Sequence, residues 1–184
     1  MQYNYFAYSI FIIENIERRS ILAELWDAYD KNFNKIEKLT LVRGESIPDD
    51  VYHLVVDVIV KHEDGTYLLM KRDYRKHYGG MWELTAGGSV LKGENSLEGA
   101  IRELKEETGI STKELKEIGK IVHDAHHSLY VEYLCVTDCK KDSIILQEGE
   151  TIDYKWVDRK SLLEMSDDEL VSARAMKLVK KLNL

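Results

Sequence analysis

Proline and cysteine are scarce: the 184 residues hold one proline, Pro48, and two cysteines, Cys135 and Cys139. With no Ser/Gly-rich stretch either, nothing reads as a linker between two domains, and the length fits one domain with a modest extension. The two cysteines, four apart, match neither a zinc ribbon nor a disulfide framework. Free, largely buried thiols suit a reducing cytoplasm, which is the expected location. No apolar run is long enough to span a bilayer, so no membrane partner is expected. The apolar stretch Tyr3–Ile13 is broken by Asn4 and Ser9 and lacks a basic leader or a small-residue cleavage site. An excess of basic residues is also missing. The net charge of −7 excludes the basic face of a sequence-independent nucleic-acid binder, so no stable nucleic-acid binding is expected. It does not exclude a small anionic substrate, because a bound cation can reverse the local sign.

Apolar residues make up 44% and charged residues 32% of the chain, enough for a sizeable core and a soluble surface. Residues 1–22 stand apart as an N-terminal extension whose apolar stretch is expected to serve as an edge strand or a homodimer contact. Ala23–Tyr29 alternates apolar and polar, as a half-buried strand does, Asp30–Asn34 supplies turn chemistry, and Ile36–Val42 returns as its partner. Tyr52–Val60 is β-branched and nearly continuous, which predicts a central strand. Glu63-Asp64-Gly65 turns the chain into Thr66–Arg72. A polar loop, Asp73–Gly80, leads to Trp82-Glu83-Leu84 and then to the small residues Ala86-Gly87-Gly88. Further strands are expected at Lys116–His123, Leu129–Thr137 and Asp153–Val157, and Ser166 is read as the cap of a closing helix, 167–182. Strands in the middle flanked by helices give an α/β (α+β) fold with a mixed sheet.

Between these lies the stretch Gly88–Ile110, GSVLKGENSLEGAIRELKEETGI. Leu97, Ala100, Ile101, Leu104 and Thr108 recur at helical spacing, and Gly109 is a C-terminal stop. Glu103, Glu106 and Glu107 gather on another face, within roughly 100° of arc. Like charges at Glu103 and Glu107 cost the helix about 0.2–0.5 kcal/mol. A hard divalent cation turns that repulsion into coordination and keeps positions for water and phosphate. Gly87 and Gly88 bring bare backbone close, where a carbonyl can add a ligand. Arg102 can hold carboxylates through its forked donors. A solvated acidic face is the plain alternative, but the segment satisfies G-x5-E-x7-R-E-U-x-E-E-x-G-U, with U aliphatic, throughout. Seven fixed residues at about 6% usage each match by chance on the order of 10⁻⁹ per starting point.

This pattern, carried by Gly88, Glu94, Arg102, Glu103, Leu104, Glu106, Glu107, Gly109 and Ile110, resembles the Nudix box in full. The flanking strands and Trp156 extend the likeness over about Tyr52–Leu184, giving a single domain at 23–184 with its core at about 52–165. The resemblance implies a three-layer α/β/α sandwich around a central mixed sheet. It also implies hydrolysis of a diphosphate bond in a nucleoside diphosphate derivative or similar small molecule, with Mg²⁺ or Mn²⁺. Glu103, Glu106 and Glu107 would bind metal with a carbonyl from Gly87 or Gly88, one of the glutamates alternatively serving the attacking water. Arg102 would orient them and Glu94 would brace the loop. Glu150, six residues before Trp156, resembles a further catalytic carboxylate from outside the box. Glu148 is the near alternative, and without the resemblance both belong to a polar loop. Of the basic residues before the box, Arg72 and Lys76 are the candidates for gripping substrate phosphates, against the reading of a solvated turn. Tyr78 and Trp82 offer rings to a base, with core packing the alternative for Trp82. His123, His126 and His127 read as a polar turn rather than a metal site, since no partner ligands stand at suitable spacing.

A narrower likeness is to the branch containing isopentenyl-diphosphate isomerase. It is carried by Trp26–Asp30, Arg43-Gly44-Glu45, Tyr52–Val56 and Gly80-Met81-Trp82. That isomerase needs a cysteine and a histidine just after the tryptophan, where this chain reads Glu83–Gly88 and has neither. A hydrolase with an isomerase-like frame is therefore expected, the alternatives being the isomerase itself or a non-catalytic nucleotide-binding module.

Overall fold

A computed structural model of the chain describes residues 23–166 and 168–183. The strand, extension and dimer contact expected within residues 1–22 lie outside them. The expected first hairpin is present: β1 (Leu25–Tyr29) pairs antiparallel with β2 (Lys35–Val42). Its turn is built by Asp30, whose side chain accepts from the backbone N–H groups of Asn32 and Asn34 at 2.8 and 2.9 Å. This is the Asx geometry that makes Asp a turn residue.

Among the described residues the main sheet has seven strands. These are β3 (His53–His62), β4 (Tyr67–Arg72), β5 (Trp82–Glu83), β6 (Thr85–Ser89), β7 (Lys116–His123), β8 (Ser128–Thr137) and β9 (Thr151–Val157). Parallel pairing of β3 with β8 and antiparallel pairing of β3 with β6 make it mixed. On the far side, β4 carries β5 and β9. Strand β3 is buried on both faces, as its continuous apolar run requires. Leu54, Val56, Val58 and Val60 join one core with Ala100 and Leu104, while Ile59 joins a second with Leu162, Met176 and Val179. The first core is covered by helix α1 (Ser96–Thr108), the second by α2 (Arg159–Glu164) and α3 (Ala173–Leu182). Three layers result, as the fold class anticipated.

Helix α1 is bounded by its own side chains. Asn95 caps it in a capping box with Glu98, and Gly109 ends it at φ 75° with its N–H donated to the Lys105 carbonyl. Leu97, expected in the buried stripe, is 37% exposed. Ser96 instead faces the sheet and bonds the Tyr133 hydroxyl at 2.9 Å, which turns its neighbour about 100° away.

The single closing helix expected over 167–182 is corrected. Asp158 caps the short helix α2, and Ser166 makes a turn in which its N–H and hydroxyl both donate to the Glu169 carboxylate. The Trp82 backbone N–H then donates to the Glu169 carbonyl and the Trp82 carbonyl accepts from Val171 N–H, at 2.8 and 2.9 Å. These strand-like bonds hold the backbone extended, so α3 begins only after its cap, Ser172. No helix among the described residues is long and apolar enough to cross a membrane.

Arg174 of α3 locks the helix layer to the sheet. It bonds Asp57 of β3 and lies 3.0 Å from Glu132 of β8, two carboxylates side by side in the parallel register. Its guanidinium also covers the Tyr130 ring at 3.6 Å. Burial pushes Glu132 up to about 7, opposed by Arg174 and reinforced by Asp57. Removing one partner of a buried ionic cluster strands the others. Arg174→Met should therefore lose about 3–5 kcal/mol in urea unfolding at pH 8, and less at pH 5, where the two acids can take up protons. Equal loss at both pH values would contradict this.

Candidate active site

Helix α1 places its acidic face at the end of β6, over a cavity of about 760 Å³. Gly87, Gly88, Arg102, Glu103, Glu106, Glu107, Lys76 and Glu150, all singled out from sequence, line this one cavity. Gly87 admits no side chain, and a side chain at Gly88 would displace the Glu103 carboxylate. A Cβ on Gly88 would lie 2.5 Å from the Glu103 carboxylate, and one on Gly87 would strike the Val56 carbonyl and lie 2.9 Å from the Asp57 carboxylate. Gly87 N–H donates to Glu107 at 3.2 Å. The strand and the helix carboxylates therefore meet without side chains between them.

Arg102 organises the rest. It grips Glu94 with two donors at 2.8 and 3.0 Å, reaches Glu103 at 2.7 Å and Glu106 at 3.2 Å, and donates to the Ser89 carbonyl at 3.0 Å. Glu94 in turn accepts from Leu91 N–H at 3.0 Å, which matches a brace for the loop before the helix.

The electrostatics are unbalanced. Burial pushes Glu107 well above the ordinary glutamate range, and the neighbouring carboxylates of Glu83, Glu103 and Glu150 push it further. Burial also raises Glu103, with Glu106 and Glu24 adding and Arg102 opposing. Among the described residues no group of three or more histidine, cysteine, aspartate or glutamate side chains is arranged to hold a metal ion. As they lie, Arg102 and the Gly87 amide occupy these carboxylates. The donor set nevertheless fits a hard cation: it is all oxygen, anionic in excess, and opens onto the cavity beside bare backbone.

Several expectations change. Arg72 is not in the cavity wall. It pairs with Glu83, and its Nε donates to the His77 carbonyl at 3.0 Å, so it braces the 73–80 loop. Lys76 does reach the cavity, where it pairs with Glu150, while Glu148 is not among the lining residues. Arg75 is tied to Asp73, which it holds down to about 2. Trp82 packs partly buried against the second core, beneath Lys71 and Lys155. Tyr78 is 53% exposed and is not in the cavity wall. Asp124–His126 forms a one-turn 3₁₀ segment before β8, the expected polar turn. Sequence reasoning missed Glu83, whose only signal was an acid inside an apolar strand, a group that needs a partner. It also missed Glu24, Arg43 and Lys92, which enter the cavity wall from the first hairpin and the box loop.

A family model described as NUDIX domain matches residues 51–178. An uncharacterized Nudix hydrolase of Listeria innocua is 31% identical over 140 residues, covering 76% of this chain and 82% of that protein. An isopentenyl-diphosphate Delta-isomerase of Halorhodospira halophila is 36% identical over 84 residues, covering 44% of this chain and 47% of that protein. Among solved structures, DR0079 from Deinococcus radiodurans shares the fold with a TM-score of 0.68 at 17% identity, over 86% of this chain and 98% of that one.

The carboxylate excess makes a signed prediction for metal-free protein. A glutamate with a raised folded pKa holds its proton more tightly when folded, so ionising it weakens folding as pH climbs from the ordinary glutamate range through the raised value. Glu107→Gln should therefore be more stable than the parent at pH 8, by on the order of 1–3 kcal/mol, and the two should converge below pH 4. A divalent cation should raise the parent's melting temperature at pH 8 more than the variant's. Calorimetry would speak against this if the variant melted lower than the parent at pH 8.

Proposed function

This chain belongs to the Nudix hydrolase family, and from that premise we propose that it cleaves the diphosphate bond of a nucleoside diphosphate derivative or similar small molecule with the help of Mg²⁺ or Mn²⁺. The observation that carries this reading is the convergence of Glu103, Glu106, Glu107 and Glu150 on one polar cavity floored by Gly87 and Gly88. Glu103, Glu106 and Glu107, with a carbonyl of Gly87 or Gly88, would hold the cation. When bound, it supplies charge neutralisation and Lewis acidity at the diphosphate oxygens.

The remaining work falls to the chain's own groups. Arg102 fixes the rotamers of Glu103 and Glu106, as an orienting partner of ligating groups does. Lys76 presents a charged ammonium group to a phosphate oxygen. Glu150, which Lys76 keeps paired in the free protein, is the carboxylate placed outside the helix to take a proton from the attacking water. Water oxygen bonds to phosphorus, the phosphoanhydride P–O bond breaks, and two phosphate-bearing products leave. The isomerase reading lacks its parts. Among the described residues no cysteine or histidine lines the cavity, and Cys135 is buried elsewhere, its thiol pushed up to about 11 by that burial. A purely binding module has no use for a full set of mutually repelling carboxylates. The two free thiols accord with a cytoplasmic location.

Glu103→Gln, Glu106→Gln and Glu107→Gln should each lower kcat on a diphosphate panel by on the order of a hundredfold or more. Arg102→Lys should cost roughly 10–100-fold, partly restored by higher metal concentration. Release of a monophosphate, followed with Mg²⁺ and Mn²⁺, checks both; undiminished turnover in all four variants would reject the assignment.

A further inference from the structure

The cavity holds more cations than this chemistry employs. Arg102 is committed to three glutamates and a carbonyl, and Lys76, paired with Glu150 in the free protein, is assigned to the scissile diphosphate. Two further cations, Arg43 and Lys92, line the same cavity. Lys92 is exposed, and the direct bond of its ammonium is to a neutral group, the Thr40 hydroxyl at 2.8 Å. Arg43 is 63% exposed and held on one side by Glu24 at 2.5 Å, which leaves donors of its planar fork for a ligand.

Their placement is built into the fold. The box loop is sewn to the first hairpin by Lys92 N–H donating to the Leu25 carbonyl at 2.8 Å, and by Gly93 N–H donating to Asp27 at 2.9 Å. Asp27 is 6% exposed and paired with Lys35 at 2.7 Å. The hairpin thus sets the side of the cavity from which both cations project. Among the described residues, the apolar part of the lining is Ala23, Leu25 and Leu91, with no aromatic ring. The described part of that wall offers a phosphate two cations, one a forked donor and one a point charge.

We propose that Lys92 and Arg43 form a second anion subsite, which selects diphosphate substrates carrying a further phosphate beyond the scissile pair. This rests on the hydrolase reading for the scissile diphosphate, but it can be tested without turnover. The probes are the methylene-bridged analogues of pyrophosphate and tripolyphosphate, titrated calorimetrically into the full chain at fixed Mg²⁺. The parent should bind the triphosphate analogue roughly tenfold more tightly, the order of one charge-assisted contact. Lys92→Gln and Arg43→Gln should each shrink that ratio while leaving the diphosphate Kd unchanged, and Lys92→Arg should restore it, a rescue that a structural role of Lys92 would not need. Equal binding of the two probes by the parent, no binding of either, or a ratio that survives in the Lys92→Gln/Arg43→Gln double variant overturns the subsite. A full ratio in a protein that hydrolyses no diphosphate would instead retain the subsite and remove the hydrolase reading.

Discussion

The site depends on how closely a helix can press its carboxylates against a strand. The Glu103 carboxylate lies 2.5 Å from where a Cβ on Gly88 would be, and Glu107 accepts from the Gly87 amide. Only glycine permits that approach. It concentrates Glu83, Glu103, Glu107 and Glu150 around one poorly solvated spot, which pushes Glu107 well above the ordinary glutamate range. Arg102 compensates part of this charge and spends its donors doing so. In the proposed function, the residual negative potential is what would draw a hard cation into the cavity.

The rest of the molecule keeps that approach in place. Gly87 stands opposite Asp57 in the β3–β6 register, and Asp57 is bound from the other layer by Arg174. Strand β3 therefore joins the two cores through the backbone that the site is built on. On the near side, Asn95 and Gly109 fix where α1 starts and stops, and Leu104 and Ala100, both fully buried, fix its rotation. The first hairpin closes the site through Asp27 and Lys92.

What the sequence made legible is whatever local spacing determines. The helix face of Glu103, Glu106 and Glu107, the hairpin at Asp30 and the continuous apolar run of β3 all follow from periodicity, composition or turn chemistry, while the brace of Glu94 comes from the family resemblance. Glu150 could be placed only through resemblance to a family pattern, since a polar loop carries no period. What escaped was set by tertiary partners. Arg72 looked free for phosphate, but a half-buried Glu83 claims it, and that pairing spans eleven residues across two strands. The break before α3 comes from backbone bonds to Trp82, nearly ninety residues earlier in the chain. Arg43 and Lys92 carry no signal of their own, because they meet only when the hairpin docks on the box loop.

The central claim is that three glutamates of one helical turn converge on bound cation rather than on solvent. Anomalous diffraction from a crystal soaked in Mn²⁺ tests it most directly. The account predicts anomalous density in contact with carboxylate oxygens of Glu103, Glu106 or Glu107 and beside the Gly87–Gly88 backbone. A fully soaked, catalytically active crystal with no anomalous density at those residues would contradict it.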